Sequence, residues 1–159
     1  MKPEPNPGQK LAPEDYDSVV RLTPLVAIDI IVRSPEGRVL LGNRKHEPAK
    51  GCFFTTGGRI TKNETLAAAF RRISRAELGV EKEIEDARFA GVYEHFYRTN
   101  NHELPGFGTH YVVLAYELTA RAQDLCLPKD QHGEFAWLPE AELLRSPEVH
   151  ENVKAYFIS

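Results

Sequence analysis

The amino-acid sequence predicts an α/β (α+β) fold in which a mixed β-sheet lies between helices. Apolar segments of strand length and amphipathic helical segments both occur, without the strict strand–helix alternation of an all-parallel sheet. The chain has 159 residues, of which 42% are hydrophobic. This length is typical of one domain with its own core. We therefore expect a flexible tail over residues 1–10 and a single domain over residues 11–159.

The N-terminal half begins with a proline-rich segment and continues as a helix and a hairpin. Three prolines and no apolar periodicity characterise the first ten residues. Pro13 starts a helix to about Leu22, because proline is favoured in the first turn. Residues 25–32 form an apolar strand interrupted by one charge, Asp29. The turn at residues 34–37 then leads into a second strand at residues 39–41.

The C-terminal half contains the clearest helix and two long strands. Leu66, Phe70 and Ile73 repeat at helical spacing, so residues 65–78 are predicted to be a helix that Gly79 ends. The long strands are expected at residues 87–98 and 109–120. The remaining predicted elements are a strand at 135–138, a helix at 139–144 and a C-terminal helix at 148–158.

Charge and composition exclude several classes of function. Twenty Lys and Arg residues oppose 23 Asp and Glu residues, which gives a net charge of −3. This balance provides no basic field for nucleic acid, and the apolar runs are far shorter than the ~20 residues that span a bilayer. We expect no nucleic-acid or membrane partner. No secretory signal pattern opens the chain, and Cys52 and Cys126 have no metal-type spacing, so the expected compartment is the cytoplasm.

Glu77 lies on the face of the predicted helix that should be buried. At about 100° per residue it falls on the same stripe as Phe70 and Ile73. Burial of a carboxylate is unfavourable unless a positive group meets it. From the helix alone, two interpretations stay open: exposure or an ion pair at the helix end, and coordination of a hard cation. The Gly57-Gly58 pair before the helix can bring backbone carbonyls close to a ligand.

The spacing Gly58-x5-Glu64-x7-Arg72-x4-Glu77-x-Gly79-Val80 resembles the Nudix box, GX5EX7REUXEEXGU. The resemblance implies the Nudix fold, and a loop–helix–loop that binds divalent cations and presents a diphosphate to water. Two box glutamates are replaced, by Ile73 and Ala76. Either catalysis is lost, or the reaction needs one metal and a different base.

The chain from about Tyr16 to Phe157 is similar to the GDP-mannose mannosyl hydrolase subfamily, which lacks the same two glutamates. In that subfamily water displaces the sugar at its anomeric carbon with inversion, and GDP leaves as a stable anion. The resemblance implies one Mg²⁺ per subunit, which Mn²⁺ can replace, a nucleotide-sugar substrate and a homodimer. It rests on these segments: Thr23-Pro-Leu-Val-x-x-Asp29, Leu40-Leu-Gly-x-Arg44, Gly57-Gly-Arg59, Phe70-x-Arg72, Ala76-Glu-Leu-Gly79, Gly91-Val-x-x-His95-Phe-Tyr97, Thr109-His-Tyr-Val-Val-Leu114, Gln131-His132 and Trp137-Leu138.

The resemblance also implies roles for individual residues. The metal ligands are the Gly57 carbonyl, Glu77 and Gln131, and His132 is the general base for water. Asp29 touches the sugar or orients the base, and His95 lies nearby in a supporting polar role. Tyr111 donates to a phosphate oxygen. The arginines that meet the diphosphate and the departing charge are Arg44, Arg59 and Arg72.

Several alternatives remain at this stage. In the sequence, His132 lies in a polar stretch where a surface histidine is common, and Arg72 could form a salt bridge across the helix. A conventional Nudix pyrophosphatase would need a carboxylate from outside the box, such as Glu94 or Glu134. A third possibility is a catalytically silent domain that binds a nucleotide. The Thr55-Thr56 pair is also unusual, because relatives have proline before the glycines.

Overall fold

The computed structural model describes residues 8–128 and 132–158, which form a mixed sheet with helices on both faces. The bounds of the strands are β1 Leu25–Arg33, β2 Arg38–Arg44, β3 Phe53–Phe54, β4 Thr56–Arg59, β5 Arg88–Tyr97, β6 Thr109–Thr119 and β7 His132–Pro139. The helices are α1 Pro13–Leu22, α2 Leu66–Leu78, α3 Glu140–Arg145 and α4 Glu151–Lys154, with 3₁₀ turns at Ile84–Asp86, Ala122–Asp124 and Ala155–Phe157.

Strand β1 is the centre of the sheet and positions the site. It runs parallel to β6, from the pair Leu25–Tyr111 to the pair Arg33–Thr119, whereas the other strand pairs are antiparallel. On its other side β1 pairs with β4, which sets Asp29 opposite Gly57. This topology confirms the predicted mixed sheet.

The two faces of β1 belong to two separate cores. Ile28 and Ile30 pack under α2, whereas Ile31 packs with Leu143 and Val153 of the C-terminal helices. Successive residues of a strand point to opposite faces. Asp29 therefore shares its face with Ile31 and is directed toward the C-terminal helices, away from α2.

Helix α2 has defined caps at both ends, one residue from the predicted start. The Thr65 side chain accepts a hydrogen bond from the Ala68 backbone N–H at 3.1 Å. Gly79 has φ 72°, and a Cβ there would lie 1.7 Å from the Cys126 carbonyl oxygen. Only glycine fits this position. Glu77 is buried as expected, but Leu66 at the start of the stripe is 43% exposed.

Two elements near the C-terminus differ from the sequence prediction. The last strand is longer than residues 135–138, because β7 continues to His132, which pairs with Arg44 of β2. Pairing with β2 extends the strand where the polar sequence shows no strand pattern. The predicted helix at 148–158 was too long: α4 spans only Glu151–Lys154 and continues as a 3₁₀ turn. The His150 side chain caps it by accepting from the Asn152 N–H at 3.0 Å.

Among residues 8–128 and 132–158, none of the helices has the length and apolar character needed to cross a bilayer.

Candidate active site

One cavity collects most of the predicted site residues. Its volume is about 520 Å³, within the range of small-molecule sites. The walls come from β1 to β6, from α1 and α2, and from the segment before α1 and several loops. The predicted residues that line it are Asp29, Arg44, Gly57, Arg59, Arg72, His95 and Tyr111.

Glu77 lies beneath the cavity, at the Gly57 loop. Its residue surface is 5% exposed, and its Oε1 accepts a hydrogen bond from the Gly57 N–H at 3.2 Å. Burial raises the pKa of this carboxyl to about 7, although the Gly57 hydrogen bond and the charge of Arg44 oppose the shift. The Gly57 hydrogen bond and the charge of Arg44 therefore do not fully offset the cost of burying the ionised carboxylate.

The Gly57-Gly58 pair allows β4 to lie close to both β1 and α2. A Cβ on Gly57 would stand 2.4 Å from Asp29 Oδ1, and one on Gly58 would stand 3.1 Å from Ile73 Cγ1. Ile73 is 1% exposed and belongs to the core under α2. Ile73, which stands where the Nudix box has the first of the two glutamates, thus packs the loop against the helix through an apolar contact.

The two threonines before the glycines attach this loop to β1. Thr55 Oγ1 donates to Asp29 Oδ2 at 3.2 Å, and Thr56 Oγ1 donates to the Ile30 carbonyl at 2.9 Å. Both threonines are buried. Side-chain hydrogen bonds therefore restrain the segment in which the sequence lacks a proline.

The donor set beneath the cavity suits a hard divalent cation. Glu77 and the backbone carbonyl of Gly57 would supply oxygen ligands, and a hard cation would offset the cost of burying the Glu77 carboxylate, which is 5% exposed. Gln131, the third predicted ligand, lies outside the described residues. Within the described residues no group of three His, Cys, Asp or Glu side chains could hold a metal by itself. Mg²⁺ commonly completes such a site with substrate phosphates and water.

His132 lies directly beside Glu77. Its residue surface is 2% exposed, and its Nε2 is 4.0 Å from Glu77 Oε1. The backbone of Gly42 and Asn43 approaches the ring, but neither ring nitrogen has a hydrogen-bond partner within the described residues. Burial and then Arg44 lower the pKa of His132. The imidazole is therefore neutral at pH 7, with a nitrogen available to accept a proton.

Two arginines present positive charge to the cavity. Arg44 donates from Nε to the Pro48 carbonyl at 2.8 Å, and its guanidinium lies 6.0 Å from the centre of the Phe54 ring. The Arg59 guanidinium lies 5.8 Å from the centre of the Tyr16 ring. Backbone and aromatic contacts thus orient both guanidinium groups without neutralising them, which suits the binding of a phosphate-containing ligand.

Arg72 lines the same cavity, but two of its three guanidinium nitrogens are engaged by the protein. Its Nε and one terminal nitrogen donate to the Glu64 carboxylate at 2.8 and 2.9 Å, and that terminal nitrogen also donates to the Arg59 carbonyl at 2.7 Å. The Glu64 side chain is 3% exposed and accepts two further hydrogen bonds from Thr61. Arg72 and Glu64 together clamp the loop between β4 and α2.

Replacement of Glu64 by glutamine is expected to lower the free energy of unfolding by about 1–3 kcal/mol at pH 7. The pKa of Glu64 is held below its usual range chiefly by the Arg72 hydrogen bonds, so its stabilisation is present at neutral pH and is lost as the pH falls toward and below the folded-state pKa. Chemical denaturation at pH 7 and pH 3 tests this. The control is Glu81→Gln, which removes only an exposed ion pair with Arg75. Equal effects of the two variants at pH 7 would contradict the clamp.

Asp29 and His95 lie together at one end of the cavity. Asp29 is 7% exposed and receives hydrogen bonds from Thr55 and from the Tyr156 hydroxyl. Burial raises the pKa of Asp29 to about 6, and burial lowers the pKa of His95 to about 4. At pH 7 Asp29 is thus ionised, and His95 is neutral.

Tyr111 faces the cavity, and its neighbour His110 faces the opposite side of the sheet. The His110 ring stacks on Phe96 at 4.4 Å. Tyr111 lines the cavity next to Tyr16, and burial raises its pKa. The phenol is therefore a neutral hydrogen-bond donor, as its predicted role requires.

The loop over residues 99–108 approaches the cavity of its own chain. The Asn100 side chain folds the loop by donating to the carbonyls of Leu104 and Phe107 and accepting from the Leu104 N–H. Asn101 and His102 line the cavity, and His102 Nδ1 is 2.6 Å from Asp17 Oδ1. The homodimer that we predict, with this loop as a candidate contact to the partner, stays a prediction.

Sequence reasoning missed several residues that complete the site. Gly8 donates from its backbone N–H to Thr61 Oγ1 at 2.6 Å, so the end of the predicted N-terminal tail forms part of the cavity wall. Residues 1–7 lie outside the described part of the chain. A tyrosine or threonine carries no site signal in an isolated sequence segment, although Thr55 adjoins the glycine pair. The missed side chains are Tyr16, Thr55, Tyr97, His102 and Tyr156.

Comparisons with known proteins show the family and the fold of the chain. The chain is 41% identical over 114 residues to the low-salt glycan biosynthesis protein Agl8 of Haloferax volcanii, covering 71% of this chain and 70% of that protein. It is 36% identical over 72 residues to an ADP-ribose pyrophosphatase of Methanocaldococcus jannaschii, covering 45% and 41% of the two chains. The crystal structure of a MutT NUDIX hydrolase from Burkholderia pseudomallei matches with a TM-score of 0.68 at 25% identity, covering 84% and 95%. The NUDIX domain of Shewanella oneidensis NrtR, complexed with ADP ribose, matches with a TM-score of 0.64 at 16% identity, covering 92% and 96%.

The protein-family model of the NUDIX domain matches residues 23–158. These residues include every strand of the sheet and the loop–helix pair that holds Glu77. The chain therefore belongs to the NUDIX domain family.

Proposed function

We propose that this Nudix hydrolase splits GDP-mannose, and also GDP-glucose, into GDP and free sugar in an Mg²⁺-dependent reaction. Water attacks the anomeric carbon with inversion of configuration. The observation that carries the proposal is a pair of buried residues behind Gly57 of the cavity wall. Helix α2 contributes one buried carboxylate, Glu77, and beside it lies a buried neutral histidine, His132, whose ring nitrogens have no hydrogen-bond partner in the described residues.

A single carboxylate is more suitable for substitution at carbon than at phosphorus. Attack on phosphorus in Nudix enzymes uses several metal ions, which an acidic cluster holds. Here Ile73 is part of the apolar core and Ala76 is an exposed alanine, so neither can bind a metal. GDP leaves as a stable anion and needs no strong general acid, so one ion and positive side chains are sufficient for its release.

The residues around the cavity have separate roles in the proposed reaction. Arg44 and Arg59 bind the diphosphate, and Asp29 and His95 lie at the sugar end. His132 accepts the proton of water while the new C–O bond forms, and the electrons of the broken C–O bond stay on GDP. Glu77, the Gly57 carbonyl and Gln131 would hold Mg²⁺, which supplies electrostatic stabilisation of the departing diphosphate.

The other end of the cavity suits a nucleoside. Tyr16 and His102 lie with ring centres 5.5 Å apart, and both line the cavity beside Arg59. Aromatic rings and a guanidinium group offer flat surfaces for a nucleobase. A nucleotide sugar would therefore extend from this end, past the arginines, to Asp29. The relative Agl8 is a glycan biosynthesis protein, which supports a sugar-linked substrate.

The test is hydrolysis of GDP-mannose in ¹⁸O-labelled water with Mg²⁺. We expect GDP and free mannose as products, the label in the sugar, and inversion at the anomeric carbon when the initial product is observed by proton NMR. Label in a phosphate group, or GMP and a sugar phosphate as products, would reject substitution at carbon.

The second candidate is a conventional Nudix pyrophosphatase that cleaves a nucleoside diphosphate derivative at phosphorus. The similarity to an ADP-ribose pyrophosphatase favours it. It requires a replacement carboxylate at the site, but Glu94 and Glu134 are both exposed and neither lines the cavity. Formation of AMP from ADP-ribose, with GDP-mannose left unchanged, would select this candidate.

A further inference from the structure

We propose that Tyr156 is a positioning residue: with His95 and Tyr97, it forms a one-directional chain of hydrogen bonds that holds Asp29 Oδ2 and leaves Oδ1 for a hydroxyl group of the sugar. The sugar-binding part rests on the proposed function, whereas the chain of hydrogen bonds is a property of the free protein. Tyr156 lies in the 3₁₀ turn Ala155–Phe157, 127 residues from Asp29 in sequence.

The chain begins at the carboxylate of Asp29. The Tyr156 hydroxyl donates its single proton to Asp29 Oδ2, and it also lies 3.3 Å from His95 Nε2. Because a hydroxyl has only one proton, the second contact requires Nε2–H of His95 to donate to the Tyr156 oxygen.

The tautomer of His95 also fixes the direction of its hydrogen bond with Tyr97. A neutral imidazole that carries its proton on Nε2 has an unprotonated Nδ1, which can only accept. The Tyr97 hydroxyl lies 3.4 Å from His95 Nδ1 and is therefore the donor. The Tyr97 oxygen has a further hydrogen bond with the side chain of Asn152 in α4, whose amide can donate. His95 is 4% exposed, and burial keeps its pKa far below 7, so the neutral form is the one present.

The arrangement leaves the two oxygens of Asp29 with different surroundings. Thr55 and Tyr156 both donate to Oδ2. Oδ1 lies next to Gly57, because a Cβ on Gly57 would stand 2.4 Å from this oxygen. Asp29 also lines the cavity. An ionised carboxylate oxygen can only accept, so its ligand must be a donor. In a nucleotide sugar, the hydroxyl groups of the sugar are donors of this kind.

The first part of the experiment uses NMR of the free protein with ¹⁵N-labelled histidine at pH 7. We expect His95 to be the Nε2–H tautomer, which its long-range ¹H–¹⁵N couplings identify. We also expect the tautomer preference to weaken in Tyr156→Phe and Tyr97→Phe. Tyr93→Phe is the matched control, because the Tyr93 ring packs on Tyr156 at 4.7 Å but its hydroxyl is not part of the chain. A His95 protonated on Nδ1, or on both nitrogens, would overturn the proposal.

The second part measures binding by calorimetry with Mg²⁺ in a His132→Gln background, which slows turnover. Adding Tyr156→Phe should weaken GDP-mannose binding by about 10- to 100-fold, the effect of one hydrogen bond to a charged group, and leave GDP binding unchanged. Adding Tyr93→Phe should change neither. An equal loss of affinity for GDP would show a general structural defect and reject the positioning role. If the His132→Gln protein does not bind GDP-mannose better than GDP, the contact of Oδ1 with the sugar and the proposed substrate are both rejected. The NMR measurement of the His95 tautomer would still test the chain of hydrogen bonds by itself.

Discussion

The variant His132→Gln should lower kcat for GDP-mannose hydrolysis by about 10²- to 10⁴-fold, the usual contribution of a general base. Glutamine is similar in size and keeps a polar group beside Glu77, but it cannot accept a proton at neutral pH. In the described residues neither nitrogen of His132 has a side-chain hydrogen-bond partner, so the change affects only the contacts of the ring with the backbone of Gly42 and Asn43. Steady-state kinetics with product analysis measure the effect.

The matched control for this variant is His110→Gln. The Nε2 atom of His110 is also buried and has no hydrogen-bond partner in the described part of the chain, but its ring stacks on Phe96 on the opposite face of the sheet. We expect this variant to keep its activity and the melting temperature of both variants to stay near that of the wild type. A His132→Gln enzyme with a nearly normal kcat would remove His132 from the mechanism.

The variant Glu77→Gln should lose about 10²- to 10³-fold in kcat and, without Mg²⁺, gain stability at alkaline pH. The activity falls because the only buried carboxylate of α2, which contacts Gly57 of the cavity wall, is neutralised. The stability rises because the ionised carboxylate is unfavourable where it lies. We expect a gain in the free energy of unfolding of up to about 3 kcal/mol at pH 8.

The pH dependence of this gain follows from the direction of the shift. The pKa of Glu77 is raised by burial from 4.5 to about 7, so between these values the folded state binds more protons than the unfolded state. The contribution of Glu77 to the stability of the wild type thus decreases as the pH rises through this window. The stability difference between Glu77→Gln and the wild type should therefore be small at pH 4 and largest above pH 7. Thermal melts across pH 4–8 measure it.

Magnesium provides the complementary measurement. A ligand that binds the folded state raises its stability according to its concentration and affinity. At pH 8, millimolar Mg²⁺ should raise the melting temperature of the wild type and of the control Glu83→Gln, which changes a half-buried carboxylate paired with Arg71, but have no effect on Glu77→Gln. An equal Mg²⁺ response in all three proteins would place the ion elsewhere.

The sequence predicted the helix and the buried position of the Glu77 carboxylate because both depend on local periodicity. Phe70, Ile73 and Glu77 share a helical face wherever the helix packs, and Gly79 can end it because glycine adopts a positive φ without strain. The spacing of the glycine, glutamate and arginine positions then identified the family. The single charge at Asp29 in an apolar strand also indicated a polar site, since a buried charge needs partners.

The identity of those partners depended on the tertiary structure. Tyr156 meets Asp29 across 127 residues, through packing of the C-terminal turn against one face of β1. His132 became a buried strand residue because it pairs with Arg44, and no pattern in its polar neighbourhood indicates this. Local patterns encode the faces of helices and strands, because these repeat along the chain. The pairing of distant segments is encoded only in the complementarity of whole surfaces. The sequence alone therefore determined the family and the buried position of Glu77. The tertiary structure decided which side chains surround Asp29 and His132.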